Sequence, residues 1–259
     1  MVVINLSSVR KNKKLLLGML ITLFLCLALM PWNSGEQQVV LVTSSNTRLL
    51  PIYAVDTQDK KIAISFDATW GAEETPKILA TLKKYNIKTT FFLVNIWLKK
   101  FPEVTKTIAA DGHEIGLHST THPYFTKLST EQMKQELKDN HDMIKQICNY
   151  DAKLFRPPFG DYDNRVISAV NELGFQTIQW SADSLDWKDL SAQAIYDRVM
   201  GRMKPGAIVL FHNNGKHTSE AIESIIPALL KEGYKIVPVS QLIYKQNFFI
   251  DPNGTQKKR

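Results

Sequence analysis

The sequence predicts an α/β fold built round a mostly parallel sheet. Three observations point there. Seven short runs rich in β-branched or aromatic residues occur in order: "KIAISF", "KTTFFLV", "HEIGLH", "KLF", "QTIQW", "AIVLF" and "KIVPV". Segments of helical period lie between them, an alternation that implies strand–helix–strand units. The strand runs are also nearly continuous in apolar residues, as expected of strands buried on both faces. Periodicity does not decide between a closed barrel and an open sheet.

The helices follow from their punctuation. Thr75 and Pro76 read as a cap followed by proline in the first turn, with Ile78, Leu79, Leu82 and Tyr85 on one face. Pro102 opens the next, which carries Val104 and Ile108 and stops at Gly112. Ser129 with Gln132 makes a capping box, and Met133, Leu137, Ile144 and Ile147 share the face behind it. Val166, Ile167, Val170 and Leu173 form a stripe closed by Gly174. Ile195, Val199 and Met203 follow Ser191. Ile222, Ile225, Ile226, Leu229 and Leu230 complete the set before Gly233, and Pro227 should kink that helix or delay its start.

The chain has 259 residues, of which 44% are hydrophobic and 22% charged, a globular balance. Net charge is +7, and basic residues cluster at both ends: Arg10, Lys11, Lys13 and Lys14, then Lys257, Lys258 and Arg259. Such a protein favours anionic surfaces. No zinc-finger spacing, RNA-binding signature or basic–aromatic stripe points to nucleic acid. Two cysteines, Cys26 and Cys148, exclude a disulfide scaffold. From Leu15 to Met30 the chain is uncharged and lacks a polar face, and basic "RKNKK" precedes it. We read this as an uncleaved anchor with its basic end inside and the rest exported, the alternative being secretion after signal cleavage.

The chain therefore divides into a basic cytoplasmic tail at 1–14, an anchor helix at 15–32, a stalk or short β extension at 33–59, the compact domain at 60–245 and a polar basic tail at 246–259. "VVLV" and "PIYAV" are short strand candidates within the stalk.

In parallel α/β folds, chemistry collects at the carboxyl ends of strands. Asp67 follows "AISF", and His118 ends "EIGL" with His122 four residues on. Arg156 follows "KLF", Asp183 and Asp186 follow "TIQW", and His212 ends "AIVLF". Singly, each has an ordinary reading as a turn residue, a core histidine or a surface ion pair. Together they place polar residues at five strand ends of one sheet. The i, i+4 histidines of "HSTTH" would face one way on a helical turn, as metal binding requires. The two prolines of "RPPFG" make a rigid wall that suits holding Arg156.

The ordered set "SFDATWG", "HSTTH", "RPPFG", "DSLDW" and "LFH" resembles the five motifs of the NodB-homology polysaccharide deacetylases, carbohydrate esterase family 4, over roughly residues 60–245. "FDATWG", with the N-terminal anchor and "PIYAVDT", looks most like the sporulation-associated members of Gram-positive spore formers. The resemblance implies a distorted seven-stranded (β/α) barrel that N-deacetylates an amino-sugar polymer, with peptidoglycan the expected partner. It implies Asp67 as general base, His118 and His122 as ligands of a divalent metal, usually zinc, and Arg156 as the residue orienting the base. Asp186 then tunes the catalytic acid His212, and Leu210 lines the acetyl pocket. Trp70, Pro158, Phe159 and Trp187 are expected to contact substrate.

The sequence departs from the family at Ala68, where most members carry a second Asp that completes the metal triad. A weakly held metal is the expectation. A glycan-binding barrel without turnover and a chitooligosaccharide deacetylase or esterase are the alternatives.

Overall fold

The computed structural model describes residues 48–259. The proposed cytoplasmic tail, the anchor helix and "VVLV" lie outside them. No helix among the described residues is long and apolar enough to cross a membrane.

The chain enters through β1 (Ala54–Val55) and β2 (Lys61–Ala68), then α1 (Thr75–Lys84) and β3 (Thr90–Leu93). Next come α2 (Asn95–Lys100), α3 (Pro102–Ala110), β4 (Glu114–Leu117), the long α4 (Thr130–Cys148), β5 (Leu154–Phe155) and α5 (Asn164–Glu172). Then follow β6 (Gln176–Thr177), β7 (Ala182–Asp183), α6 (Ala192–Met200), β8 (Ile208–His212) and α7 (Thr218–Lys231). The last elements are β9 (Lys235–Ile236), α8 (Val239–Leu242), β10 (Phe248–Ile250) and β11 (Thr255–Lys258).

Eight strands form one sheet in the order β6-β5-β4-β3-β2-β8-β7, with β9 beside the start of β2. Every pairing in it is parallel. All seven strand runs read from the sequence contribute a strand. The extra one is β7, two residues in the polar stretch "SADS" with no apolar run of its own. The sheet curls as a half-barrel, and β6 and β7 are its two ends.

Alternation along the strands sorts two apolar layers. Ile62, Ile64, Phe66, Phe91, Val209 and Phe211 belong to a cluster shared with the helices. Phe66 stacks against Phe91 and Phe211 at 4.9 and 5.8 Å. Ala63, Phe92 and Ile208 belong to a second cluster, with Val239 and Leu242 of α8. Asp67 shares the phase of Ala63 and pairs in register with His212. The fold thus puts both groups on the inward face of adjacent strand ends.

The capping box at Ser129 and Gln132 is present in both directions. Thr75 is the first residue of α1 rather than its cap, and its hydroxyl instead accepts from Asn213 Nδ2. Pro227 lies inside α7 and does not delay its start at Thr218. The stretch read as a polar tail contains β10 and β11, which pair with each other, and β11 pairs with β1. Its Lys-rich composition hid a strand whose buried residue is Gln256, bonded in both directions to the Tyr244 backbone.

Candidate functional site

A cavity of about 550 Å³ opens at the carboxyl ends of the strands. Asp67, Trp70, His118, His122, Phe159, Trp187, Leu210 and His212 all line it. Arg156 and Asp186 are wholly buried behind it, each bonded to a lining residue. Pro158 is buried and does not line the cavity. A larger groove, about 660 Å³, lies at the opposite end of β2, between Asp56 to Lys61 and the C-terminal strands. It is lined by none of the predicted site residues.

The Asp67 carboxylate is held by Arg156, whose Nη1 donates to Oδ1 at 2.7 Å. The other guanidinium nitrogen donates to Ser65 Oγ at 2.9 Å and to the Gln179 carbonyl at 3.2 Å. The guanidinium also lies over the Phe92 ring at 4.2 Å. Phe92 takes that place because its register partner on β4 is Gly116. A Cβ there would come within 2.4 Å of the Phe92 ring. Burial works against ionising Asp67, but Arg156, with His118 and His212, outweighs it and holds the carboxyl below its ordinary range.

His212 is built as the mirror case. Its Nδ1 donates to Asp186 Oδ1 at 2.8 Å, and its backbone N–H donates to Oδ2 at 2.8 Å. Thr218 Oγ1 donates to the same carboxylate at 2.7 Å. Burial lowers the basicity of the imidazole, but the bond to Asp186 and the charges of Asp186, Asp67 and Asp183 overcome it. The net shift is upward, so the protonated form persists to higher pH than in an ordinary imidazole, with Nε2 left to deliver a proton.

The histidine pair is not on a helix. Residues 118–122 form a turn in which Ser119 (φ 77°) and His122 (φ 59°) are left-handed. This turn brings the rings to 5.0 Å, edge to face. His118 Nδ1 donates to the Arg156 carbonyl at 2.8 Å, leaving the Nε2 lone pair 3.6 Å from Asp67 Oδ2. Burial lowers both imidazoles, His122 to about 3, so both are neutral and free to act as ligands. Ala68 is wholly buried, has no donor atom and belongs to the apolar cluster under the helices. Among the described residues, no three His, Cys, Asp or Glu side chains are grouped to hold a metal. Two neutral imidazoles therefore suit a loosely held divalent ion, not a closed three-ligand site.

Several positioning residues escaped the motif reading. Asn140 accepts from the His118 backbone N–H at 2.9 Å and donates to the Leu93 carbonyl and to Asn95. Glu136 accepts from the N–H groups of Thr120 and Thr121, tying the histidine turn to α4. The available signal was Asn140 falling in phase with the apolar stripe of Met133, Leu137 and Ile144.

A family model described as polysaccharide deacetylase matches residues 54–178. A peptidoglycan-N-acetylglucosamine deacetylase of Bacillus cereus is 34% identical over 186 residues, covering 70% of this chain and 68% of that protein. PdaA, a peptidoglycan-N-acetylmuramic acid deacetylase of Bacillus subtilis, is 32% identical over 83% of this chain and 82% of its own. Among solved structures, a CE4 family pseudoenzyme from Bacillus anthracis superposes with a TM-score of 0.72 at 34% identity, covering 74% of this chain and 68% of that one. A mutant of that pseudoenzyme with restored enzymatic activity gives the same TM-score at 35% identity. With the parallel half-barrel and the five motifs gathered at one cavity, these matches place the chain in the polysaccharide deacetylase family, carbohydrate esterase family 4.

Proposed function

We propose that the chain is a hydrolase that removes N-acetyl groups from an amino-sugar polymer, with peptidoglycan as the substrate. The observation that carries this reading is a pair of oppositely tuned groups, Asp67 with its carboxyl held low and His212 with its imidazole raised, at adjacent strand ends over one cavity. An amide needs both. Asp67 takes a proton from water as the water oxygen bonds to the acetyl carbon. Arg156 keeps that carboxylate ionised and aimed. As the carbon–nitrogen bond breaks, His212 Nε2 gives its proton to the departing amine, which otherwise leaves poorly. Acetate and a free amino sugar result. Asp186 stabilises the imidazolium in the meantime.

A divalent ion such as zinc, held by His118 and His122, would polarise the acetyl carbonyl and lower the pKa of an attacking water. The relatives support the substrate class, since they are named for deacetylation of N-acetylglucosamine or N-acetylmuramic acid in peptidoglycan. The basic N-terminus and the apolar run after it support anchoring by one helix, with the catalytic domain outside the cytoplasm. A role in sporulation is supported by the "FDATWG" variant of the first motif.

Acetate release from peptidoglycan and from N-acetylglucosamine polymers, assayed with and without added zinc or cobalt, tests the reading. Release by the wild-type chain that disappears in Asp67→Asn is expected. No release from either substrate under any metal condition favours the second reading, a glycan-binding barrel without turnover. Ala68 motivates that alternative, and the Bacillus anthracis neighbour shows that the fold exists in an inactive form.

A further inference from the structure

Four aromatic side chains stand exposed round the cavity mouth or beside it: Trp70 (57%), Tyr124 (54%), Phe159 (58%) and Trp187 (56%). Three of them line the cavity and fall in the family motifs, while Tyr124 does neither. It sits one ring further out. Its ring stacks on Phe159 at 4.3 Å between centroids with 19° between planes. Phe159 meets His122 edge to face at 4.5 Å, and His122 meets Trp70 at 6.4 Å. The mouth is therefore edged by a row of rings: Tyr124, Phe159, His122, Trp70.

Two features separate this row from ordinary packing. Tyr124 and Phe159 remain more than half exposed although they stack on each other, so the stack does not serve to hide them. Phe159 also holds a left-handed backbone (φ 59°, ψ 8°), which is unfavourable for a bulky residue. Strain and exposure both count against stability and are retained where a ligand uses the group. The Tyr124 hydroxyl makes no hydrogen bond among the described residues and is free to bond a ligand hydroxyl.

We propose that the Tyr124–Phe159 stack is an additional sugar subsite, which holds the ring next to the one being deacetylated and leads the polymer out of the cavity. Sugar rings present an apolar C–H face with polar edges, which matches an exposed aromatic face carrying one free hydroxyl. Continuity with the cavity fixes the occupant as the same glycan chain, so the inference rests on the glycan reading of that cavity. It adds a prediction of length: the chain prefers oligomers over single sugars, and Tyr124 supplies part of that preference.

The test is binding of N-acetylglucosamine oligomers of two to five rings to the full chain, by calorimetry, alongside acetate release. Wild-type affinity is expected to rise with length. Tyr124→Ala and Tyr124→Leu should reduce that gain about five- to tenfold, the size of one aromatic contact, while Tyr124→Phe, which keeps the flat face and loses only the hydroxyl, reduces it less. The Leu variant retains apolar bulk and lacks only the flat face, so it separates stacking from packing or misfolding. An undiminished length gain in both the Ala and Leu variants, or no gain in the wild type, overturns the subsite whatever the acetate result. A Tyr124-dependent gain without acetate release supports the subsite and removes only the hydrolase reading.

Discussion

On one side of the cavity, Asp67 and His212 each meet a buried partner of opposite charge, Arg156 at 2.7 Å and Asp186 at 2.8 Å. On the other, His118 and His122 meet each other edge to face at 5.0 Å, and the strand position after Asp67 is Ala68, which has no donor atom. The first half is complete by the criteria of a buried polar network, apart from Arg156 Nε, which has no partner. The second half offers two imidazoles and, at Ala68, no third donor atom. On the proposed reading, proton transfer and ion retention are separable, because different residues would supply them. Variants can be chosen to act on one half at a time.

The largest effect should come from the complete half. Asp67→Asn keeps the shape of the side chain and removes its basicity, and His212→Ala removes the acid. Each is expected to lower acetate release by about 10²–10⁴-fold, the usual worth of a positioned acid or base. Single-turnover acetate assays measure this, and a loss of under tenfold in either variant would take that residue out of proton transfer. Asp67→Asn also leaves Arg156 buried without its counter-charge, so thermal unfolding must be recorded beside activity.

The incomplete half gives a change of opposite sign. Ala68→Asp should raise zinc affinity at least about tenfold, since even outer-shell changes alter metal affinity by that factor. Elemental analysis after desalting would show wild-type chain depleted of zinc and the variant retaining it. Full, chelator-resistant zinc in the wild type would sink the comparison itself. A carboxylate at this wholly buried position without a bound ion is costly, so the variant should be less stable in its metal-free form.

Much of this was legible from the sequence, for physical reasons. The strands are near-continuous apolar runs because both faces are buried, and the reactive residues fall at their ends because a parallel sheet places them there. The helix starts were legible where a cap and its return bond are local, as at Ser129. Other features depended on distant chain. Thr75 looked like a cap because a cap is a local signal, yet its hydroxyl is engaged by Asn213, 138 positions away. The histidine turn looked helical because i, i+4 spacing suits a helix, but the left-handed residues Ser119 and His122 produce the same convergence without one. β7, β10 and β11 escaped because they lie in polar stretches and are held by the strands they pair with.

A pH profile probes the complete half more finely. Asp67 is held below the ordinary carboxylate range, so the acid limb of activity should lie below it too. His212 is raised, so the alkaline limb should lie above the ordinary imidazole value. Asp186→Asn removes the main support of the imidazolium and should move the alkaline limb down while leaving the acid limb in place. The same groups make stability depend on pH. The folded state gains from ionised Asp67 above the carboxyl's unfolded pKa and loses that gain as pH falls through the lower folded value. It gains from protonated His212 below the imidazole's unfolded pKa and loses that gain as pH rises through the higher folded value. An alkaline limb unmoved by Asp186→Asn would detach Asp186 from the acid.

The smallest change in turnover should come from Asn140, which acts on the histidine half through the backbone alone. Asn140→Leu continues the apolar stripe of α4 and would look harmless in sequence. It nevertheless removes the side-chain acceptor at the His118 N–H and the side-chain donor to the Leu93 carbonyl, leaving those two only their mutual bond at 3.2 Å, and it takes the donor from Asn95 Oδ1. Leaving a buried group such as Asn95 Oδ1 without its donor costs about 1–3 kcal/mol. Denaturant unfolding should therefore show a clear loss of stability. Zinc affinity should fall as His118 loses its fixed position, and acetate release at saturating metal should change less than in any variant above. Asn140→Asp keeps the acceptor for the His118 N–H but loses the amide donor to Leu93 and Asn95, so it separates the two bonds. If Asn140→Asp restores zinc affinity without restoring stability, the bond to His118 orients the ligand and the bonds to Leu93 and Asn95 hold the strand.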